Sequence, residues 1–562
     1  MSSDSSDGSR FLGKAISGPF TIPSGIVTTT MSIIQHYMDR CPQLGVLTTK
    51  SIGYEPRPGY REPVFSQYAP GCFVNAVGLT NPGAVRSAEL LQELEVPEDR
   101  FLLVSIFGGS VEEFVRVAQL LAPFSDGLEL NLSCPHATGY GMAMGQDPEL
   151  VEEITRAVKE ASALPVIPKL TPNADDIGAI AAAAVAGGAD ALCAINTVGP
   201  GFYSAHGHAV LSNEVGGMSG KGILPVTLKC IREIRAVTDV PIIGCGGVSS
   251  ADDVAAVRDA GGDIVGIGSA LTGMNSAEIV DYFHTLDIEL TETASAGVGS
   301  AVRTEGDAEP RAETLVRYDV DMGFKPVVLV ENRRVCEDIA ILTFDRPIDI
   351  QAGEFVFLWV PGLGEKPFSA LTDDPFSLVL IDVGEFTHAC MDLSPGTTAY
   401  VRGPHGVAAT PAEDRRIVAV AGGTGLAAVY QLVRDYGGGE LFMGARTAER
   451  LYFKEESAAC ANLHIATDDG SEGYHGLVTQ LLDEYLAQLS DQALADLEFY
   501  NCGPAPMVHA AVEVQLKHCA AHQIYSAIDY LTKCGVGICG ACAAPDGRRL
   551  CVDGPFLGIA SP

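Results

Sequence analysis

The chain has 562 residues, 47% of them hydrophobic, and its 71 acidic against 36 basic side chains leave a formal charge of −35. That length suits about three or four domains with sizeable cores. The charge argues against partnership with nucleic acid or an anionic lipid surface. Residues 1–10 are polar and lack the apolar run of a secretory signal, so a cytoplasmic location is expected. The most apolar stretch, 177–195, is interrupted by Gly187, Gly188 and Asp190. It reads as an alanine-rich helix running into a buried strand, not as a membrane span. Fifteen cysteines in such a chain read as thiols and metal ligands, not disulfides.

In chain order, apolar β-type runs fall at 45–51, 101–107, 127–133, 165–171, 191–198, 241–245 and 263–269. Helical patterns lie between them, at 111–121, 148–161 and 224–237 for example. With an opening segment near 20–26, these units count to a (β/α)8 barrel over 1–290, an open doubly wound sheet being the alternative. Residues 291–313 hold few large apolar side chains and read as a linker. Short strands at 325–335, 339–344, 354–360 and 376–383 predict a small antiparallel barrel over 314–412. Strands and helices alternate again over 413–520, predicting a parallel nucleotide-binding sheet.

The last segment, 521–562, carries Cys534, Cys539, Cys542 and Cys551. The spacing C-x4-C-x2-C…C is that of the plant-type [2Fe–2S] loop. Interleaved glycines suit a backbone wrapped closely round a cluster. A zinc site is the alternative, though zinc more often takes two C-x2-C pairs or histidines.

Four barrel strand ends carry polar groups. They are Thr49-Lys50-Ser51, the run from Asn131 through Ser133 and Cys134 to His136, Lys169, and Asn196-Thr197. Groups at these ends point into the active site of such a barrel. Gly246-Gly247 and Gly268-Ser269 close the last two strands, and Gly220 ends another glycine cluster. Glycine loops after strands 7 and 8 point to a phosphate-bearing cofactor such as FMN.

On these residues, 11–285 resembles the catalytic subunit of class 1 dihydroorotate dehydrogenase, and segment 75–83 resembles the NAD-dependent type B enzymes. The resemblance implies that Cys134 is the general base toward C5 of dihydroorotate, and that FMN takes the C6 hydride with Lys50 and Lys169 beside it. It implies that Asn75, Gly78, Leu79, Asn131, His136, Asn196 and Thr197 hold the substrate. Thr49, Ser51, Gly220, Gly246, Gly247, Gly268 and Ser269 complete the implied FMN site. One departure stands out: the family usually has asparagine at His136, and Ser-Cys-Pro-His resembles the neighbouring dihydropyrimidine dehydrogenases.

In the second half, Lys366-Pro367-Phe368-Ser369 resembles the Arg-Pro-x-Ser flavin motif of the ferredoxin-reductase family, with lysine for arginine. The turn at Gly403-Pro404 resembles that family's Gly-Pro-x-Gly. Gly422-Gly423-Thr424-Gly425 has the form of a dinucleotide phosphate loop, and Cys502-Gly503 ends a later strand. Cys502 also reads as a small buried residue. Residues 320–562 together resemble the type B electron-transfer subunit, which carries FAD and one [2Fe–2S] cluster and exchanges hydride with NAD. The whole chain then resembles both type B subunits fused, with a homodimer through the barrel expected. Three other readings are an NAD(P)H-driven reductase of another pyrimidine or enone, a non-catalytic electron-transfer flavoprotein, and a flavin-based redox sensor.

Overall fold

The computed structural model describes residues 9–132, 144–296, 311–528 and 531–559. Cys134 and His136 fall outside them. The chain divides into two compact units, Met1–Val320 with Val536–Arg548, and Asp321–Gly535 with Arg549–Pro562.

The first unit is built on a closed parallel barrel. Its strands are β1 (Phe20–Ile22), β2 (Val46–Thr48), β3 (Phe101–Ile106), β4 (Gly127–Asn131), β5 (Val166–Leu170), β6 (Leu192–Ala194), β7 (Ile242–Cys245) and β8 (Ile264–Gly266). They pair in sequence order, and β8 closes back on β1. Closure excludes the open doubly wound alternative. Strands covered on both faces read as unbroken apolar runs; β3 is buried along its whole length. Each expected run outlasts its strand, and several of the residues beyond, among them Lys50, Ser51, Asn196 and Thr197, line the pocket at the strand ends.

The helices between strands follow from caps and stripes. In Val111–Leu121, Ser110 accepts from the Glu113 N–H, and Phe114, Val117, Ala118 and Leu121 are buried. That is the i, i+3, i+4, i+7 stripe of a helix laid on a sheet. A hairpin at Arg10–Phe11 and Lys14–Ala15 covers the N-terminal mouth, where the Phe11 and Phe101 rings meet edge-on at 5.2 Å. Phe11, Ile16, Val46, Phe101, Leu103 and Ile167 fill the interior there. The opposite mouth carries a four-stranded antiparallel sheet, ordered Val198–Phe202, Val215–Gly220, Cys72–Asn75, Phe65–Ala69. It is made from the connections after β2 and after β6. Helix Ser276–Ala296 runs into the stretch expected as linker, and a short helix at Ala312–Leu315 follows the undescribed residues.

The second unit holds two seven-stranded sheets. The antiparallel one runs Gly364–Phe368, Phe355–Val360, Thr398–His405, Lys325–Cys336, Ile339–Phe344, Phe376–Ile381, Ala370–Asp373. Val327, Leu342, Val356, Leu358, Leu378 and Val401 belong to its core. The other runs Tyr474–His475, Asn462–Thr467, Glu440–Ala445, Arg416–Gly422, Leu497–Cys502, Ile524–Ala527, Leu557–Gly558, parallel except for the last pairing. Strand order reverses direction at Arg416–Gly422, whose neighbours are Glu440–Ala445 and Leu497–Cys502.

Candidate active site

The main pocket of the first unit opens at the carboxyl ends of the barrel strands. Its wall includes Lys50, Ser51, Asn75, Gly78, Leu79, Asn131, Lys169, Asn196 and Thr197. Gly220, Gly246, Gly247, Gly268 and Ser269 line it as well. The pleat explains the convergence. Asn131 is level with Lys169 on the next strand, and Lys169 with Cys193 on the one after. Asn75 arrives from the antiparallel cover, where its Nδ2 donates to the Gly217 carbonyl at 3.2 Å. Thr49 lies behind the wall, fully buried, accepting from the Ser105 N–H at 3.0 Å.

Several wall residues escaped the sequence reading. Ser24, Cys245 and Ile538 belong to the pocket, and Cys539, expected only as a cluster ligand, borders it too. The loop carrying Ile538 and Cys539 is tied to the barrel: the Val27 N–H donates to the Ile538 carbonyl at 2.7 Å and Thr29 Oγ1 to the Cys539 carbonyl at 3.1 Å. Glu129, two residues before Asn131 and on the same face of β4, is 1% exposed. A carboxylate inside an otherwise apolar run was the available signal.

Charge in the pocket is set by that carboxylate. Lys169 Nζ lies 3.9 Å from Glu129 Oε1, and Lys169 is 5% exposed. Burial is the largest single effect and acts to lower the ammonium pKa, but Glu129, Cys193 and Cys245 together raise the group above its ordinary value. Lys169 is therefore a fixed cation. Beside it, Cys193 and Cys245 face each other with sulfurs 3.9 Å apart. The contact raises the Cys193 thiol and lowers that of Cys245.

Glycines of the loops after β7 and β8 border the pocket. Gly247 adopts φ +80, and a Cβ there would lie 2.6 Å from the Leu224 backbone nitrogen. Only glycine keeps this backbone close-packed at the pocket wall. In the second unit, Gly422–Gly425 follow the central parallel strand and lead into helix Leu426–Tyr436. Ala421 pairs with Cys502 across the sheet, so Gly503 and this loop lie side by side at the point where strand order reverses. That is where open parallel sheets bind nucleotides. Tyr452 braces the loop, its hydroxyl donating to the Gly423 carbonyl at 2.9 Å.

Lys366, Pro367 and Phe368 lie on Gly364–Phe368, paired with Leu358, Phe357 and Val356, and Ser369 follows. Gly403 has φ +119, and its carbonyl accepts from Lys325 Nζ at 3.0 Å. Cys534, Cys542 and Cys551 are buried, and no described cysteine is in a disulfide. The loop glycines Gly535, Gly537 and Gly540 all have positive φ, a conformation glycine adopts without a Cβ clash. Among the described residues no group of three or more Cys, His, Asp or Glu side chains is gathered as a metal site.

A closed parallel barrel with a buried lysine and amides at its carboxyl mouth, and a parallel sheet with a glycine turn where strand order reverses, are the architectures of an α/β-barrel enzyme and of a nucleotide-binding domain. Comparison with known proteins makes this particular. Residues 8–285 match the dihydroorotate dehydrogenase family model and residues 419–513 the oxidoreductase NAD-binding domain. Over 263 residues the chain is 42% identical to the dihydroorotate dehydrogenase B (NAD(+)) catalytic subunit of Pyrococcus horikoshii, covering 47% of this chain and 85% of that protein. The same subunit of Methanocella arvoryzae is 43% identical over 262 residues, covering 46% and 85%. That of Methanosarcina acetivorans is 43% identical over 264 residues, covering 46% and 83%. The chain belongs to the dihydroorotate dehydrogenase family, as a type B catalytic region and an NAD-binding oxidoreductase domain in one polypeptide.

Proposed function

We propose that the protein oxidises dihydroorotate to orotate, with electrons passing from FMN through a [2Fe–2S] cluster and FAD to NAD. The observation that carries this reading is the barrel pocket, where the cation Lys169 meets the amides of Asn75, Asn131 and Asn196. Each amide offers a donor and an acceptor, as does each N–H and carbonyl edge of a pyrimidine ring. Cys134, three residues after Asn131, takes the proton from C5. Its thiolate is the base, and its share at neutral pH depends on local charge. FMN, when bound, accepts the C6 hydride. Gly246, Gly247, Gly268 and Ser269 would hold its phosphate, with Lys50 and Lys169 at its ring.

Lys366 to Ser369 and Gly403 would hold FAD, and Gly422 to Gly425 with Cys502 and Gly503 would hold NAD. Cys534, Cys539, Cys542 and Cys551 would ligate the cluster. The relay order is supported by Cys539, which borders the same pocket as Lys169. A one-electron centre beside a hydride-accepting site gives two electrons a stepwise exit. We further propose a cytoplasmic homodimer paired through the barrel.

Anaerobic titration of purified protein with dihydroorotate, and separately with NADH, tests the reading. Each should bleach flavin absorbance, and each should reduce the cluster. Flavins that stay oxidised with dihydroorotate but respond to dihydrouracil or dihydrothymine would move the enzyme to another pyrimidine.

A further inference from the structure

A continuous string of hydrogen bonds runs from buried Glu129 to the pocket wall. Ser105 Oγ donates to Glu129 Oε1 at 2.8 Å. Ser51 Oγ lies 2.9 Å from Ser105 Oγ. Asn131 Nδ2 donates to Ser51 Oγ at 2.9 Å, and Ser24 Oγ lies 3.1 Å from it. Asn196 Nδ2 donates to Asn131 Oδ1 at 3.2 Å, while Asn196 Oδ1 accepts from the Thr197 N–H at 2.8 Å. Ser105 and Glu129 are essentially closed to solvent, so water does not substitute for these partners.

Hydroxyls can donate in either direction, but an ionised carboxylate only accepts. Glu129 accepts from Ser105 Oγ at 2.8 Å and faces the Lys169 ammonium at 3.9 Å. Ser105 must then spend its proton on Glu129 and can only accept from Ser51. Ser51 spends its proton on Ser105, so its lone pairs receive Asn131 Nδ2 and the Ser24 hydroxyl. The nitrogen end of the Asn131 amide is fixed toward Ser51, and its oxygen end toward Asn196. One buried charge thus dictates which way the Asn131 and Asn196 amides lie.

We propose that Glu129 is a specificity-determining positioning residue: through Ser105 and Ser51 it locks the donor and acceptor pattern that Asn131 and Asn196 present to the substrate ring. This rests on the proposal that the pocket takes dihydroorotate. A ring with matching carbonyl and N–H positions is accepted, and one with a carbonyl exchanged for an amino group meets donor against donor.

The test uses the flavin-loaded enzyme and two probes, orotate and its 4-amino counterpart, with dissociation constants read from perturbation of the flavin spectrum. Wild type should prefer orotate strongly. Ser105→Ala cuts the string while keeping Glu129 opposite Lys169, and Glu129→Gln lets the string reverse. Each should shrink the preference by about tenfold or more, the scale of one buried polar mismatch. A merely structural role would weaken both probes together and leave the ratio unchanged, and that result in Ser105→Ala overturns the proposal. If wild type binds neither probe yet NADH still bleaches flavin, the substrate reading fails and the proposal fails with it. If Glu129→Gln does not fold, Ser105→Ala alone decides.

Discussion

Arg402 and Glu365 face each other in two parallel hydrogen bonds, Nε to Oε1 at 2.9 Å and Nη2 to Oε2 at 2.8 Å. Both side chains are at most 1% exposed. The remaining guanidinium nitrogen, Nη1, donates to the Cys534 carbonyl at 2.7 Å and lies 3.3 Å from His405 Nε2. Burial, and then the guanidinium charge, hold His405 well below the ordinary histidine range, so it is neutral and can accept. The Phe357 ring lies 4.2 Å beneath the guanidinium carbon. The pair ties two antiparallel strands to the start of the cysteine loop.

Arg402→Met should destabilise this unit by about 3–5 kcal/mol, because it leaves the Glu365 carboxylate buried without its partner. Denaturant unfolding followed by tryptophan fluorescence will measure it. The chain has one tryptophan, and Trp359 pairs directly with both Glu365 and Tyr400. Replacing both partners by Met should recover part of the loss, since no unpaired charge then remains. A double variant as unstable as the sum of its singles would show that the two side chains do not act as a pair.

Cys134→Ser should lower dihydroorotate turnover about 10²–10⁴-fold, the range for removing a general base. Serine ionises at far higher pH, so the deficit should persist through neutral pH. NADH-dependent dye reduction should be near normal, because it uses the other unit. Full dihydroorotate turnover at neutral pH would remove Cys134 from the role of base.

Cys539→Ser should abolish electron flow from dihydroorotate to NAD while leaving each half-reaction. Dihydroorotate would still bleach one flavin and NADH the other, with iron and sulfide content falling in parallel. Sustained dihydroorotate-to-NAD turnover in a preparation free of iron would reverse the proposed order of carriers.

Gly247→Ala should lower FMN content without touching FAD. At φ +80 an L side chain costs about 1–2 kcal/mol, and the new methyl would press on the Leu224 backbone nitrogen at 2.6 Å. The FMN to FAD ratio of extracted cofactor reads the effect, and an unchanged ratio would place the phosphate elsewhere.

The barrel was legible because parallel strands buried on both faces leave contiguous apolar runs, as in Phe101–Ile106. Asn131 and Lys169 were legible because a polar residue ending such a run has one place to point. Glu129 was not read, because a single carboxylate inside an apolar strand looks like noise until its cation is known. Cys539 lines the barrel pocket although 510 residues separate it from Thr29, its hydrogen-bonding partner. No local pattern encodes a contact over that distance. The antiparallel cover was hidden for a different reason: its strand Val215–Gly220 is half glycine and carries little β signal.

That cover limits how the barrel can be re-engineered. Asn75 stands on a strand from the connection after β2, and its register neighbour Gly217 stands on one from the connection after β6. Loop grafting between barrels usually treats each connection as an exchangeable cassette. Here one cassette supplies a pocket side chain and the other supplies the backbone that orients it. A chimera that imports a new connection after β2 alone would carry its asparagine into a mismatched ladder. Any recombination meant to change the substrate must move residues 65–75 and 198–220 as one inheritance unit.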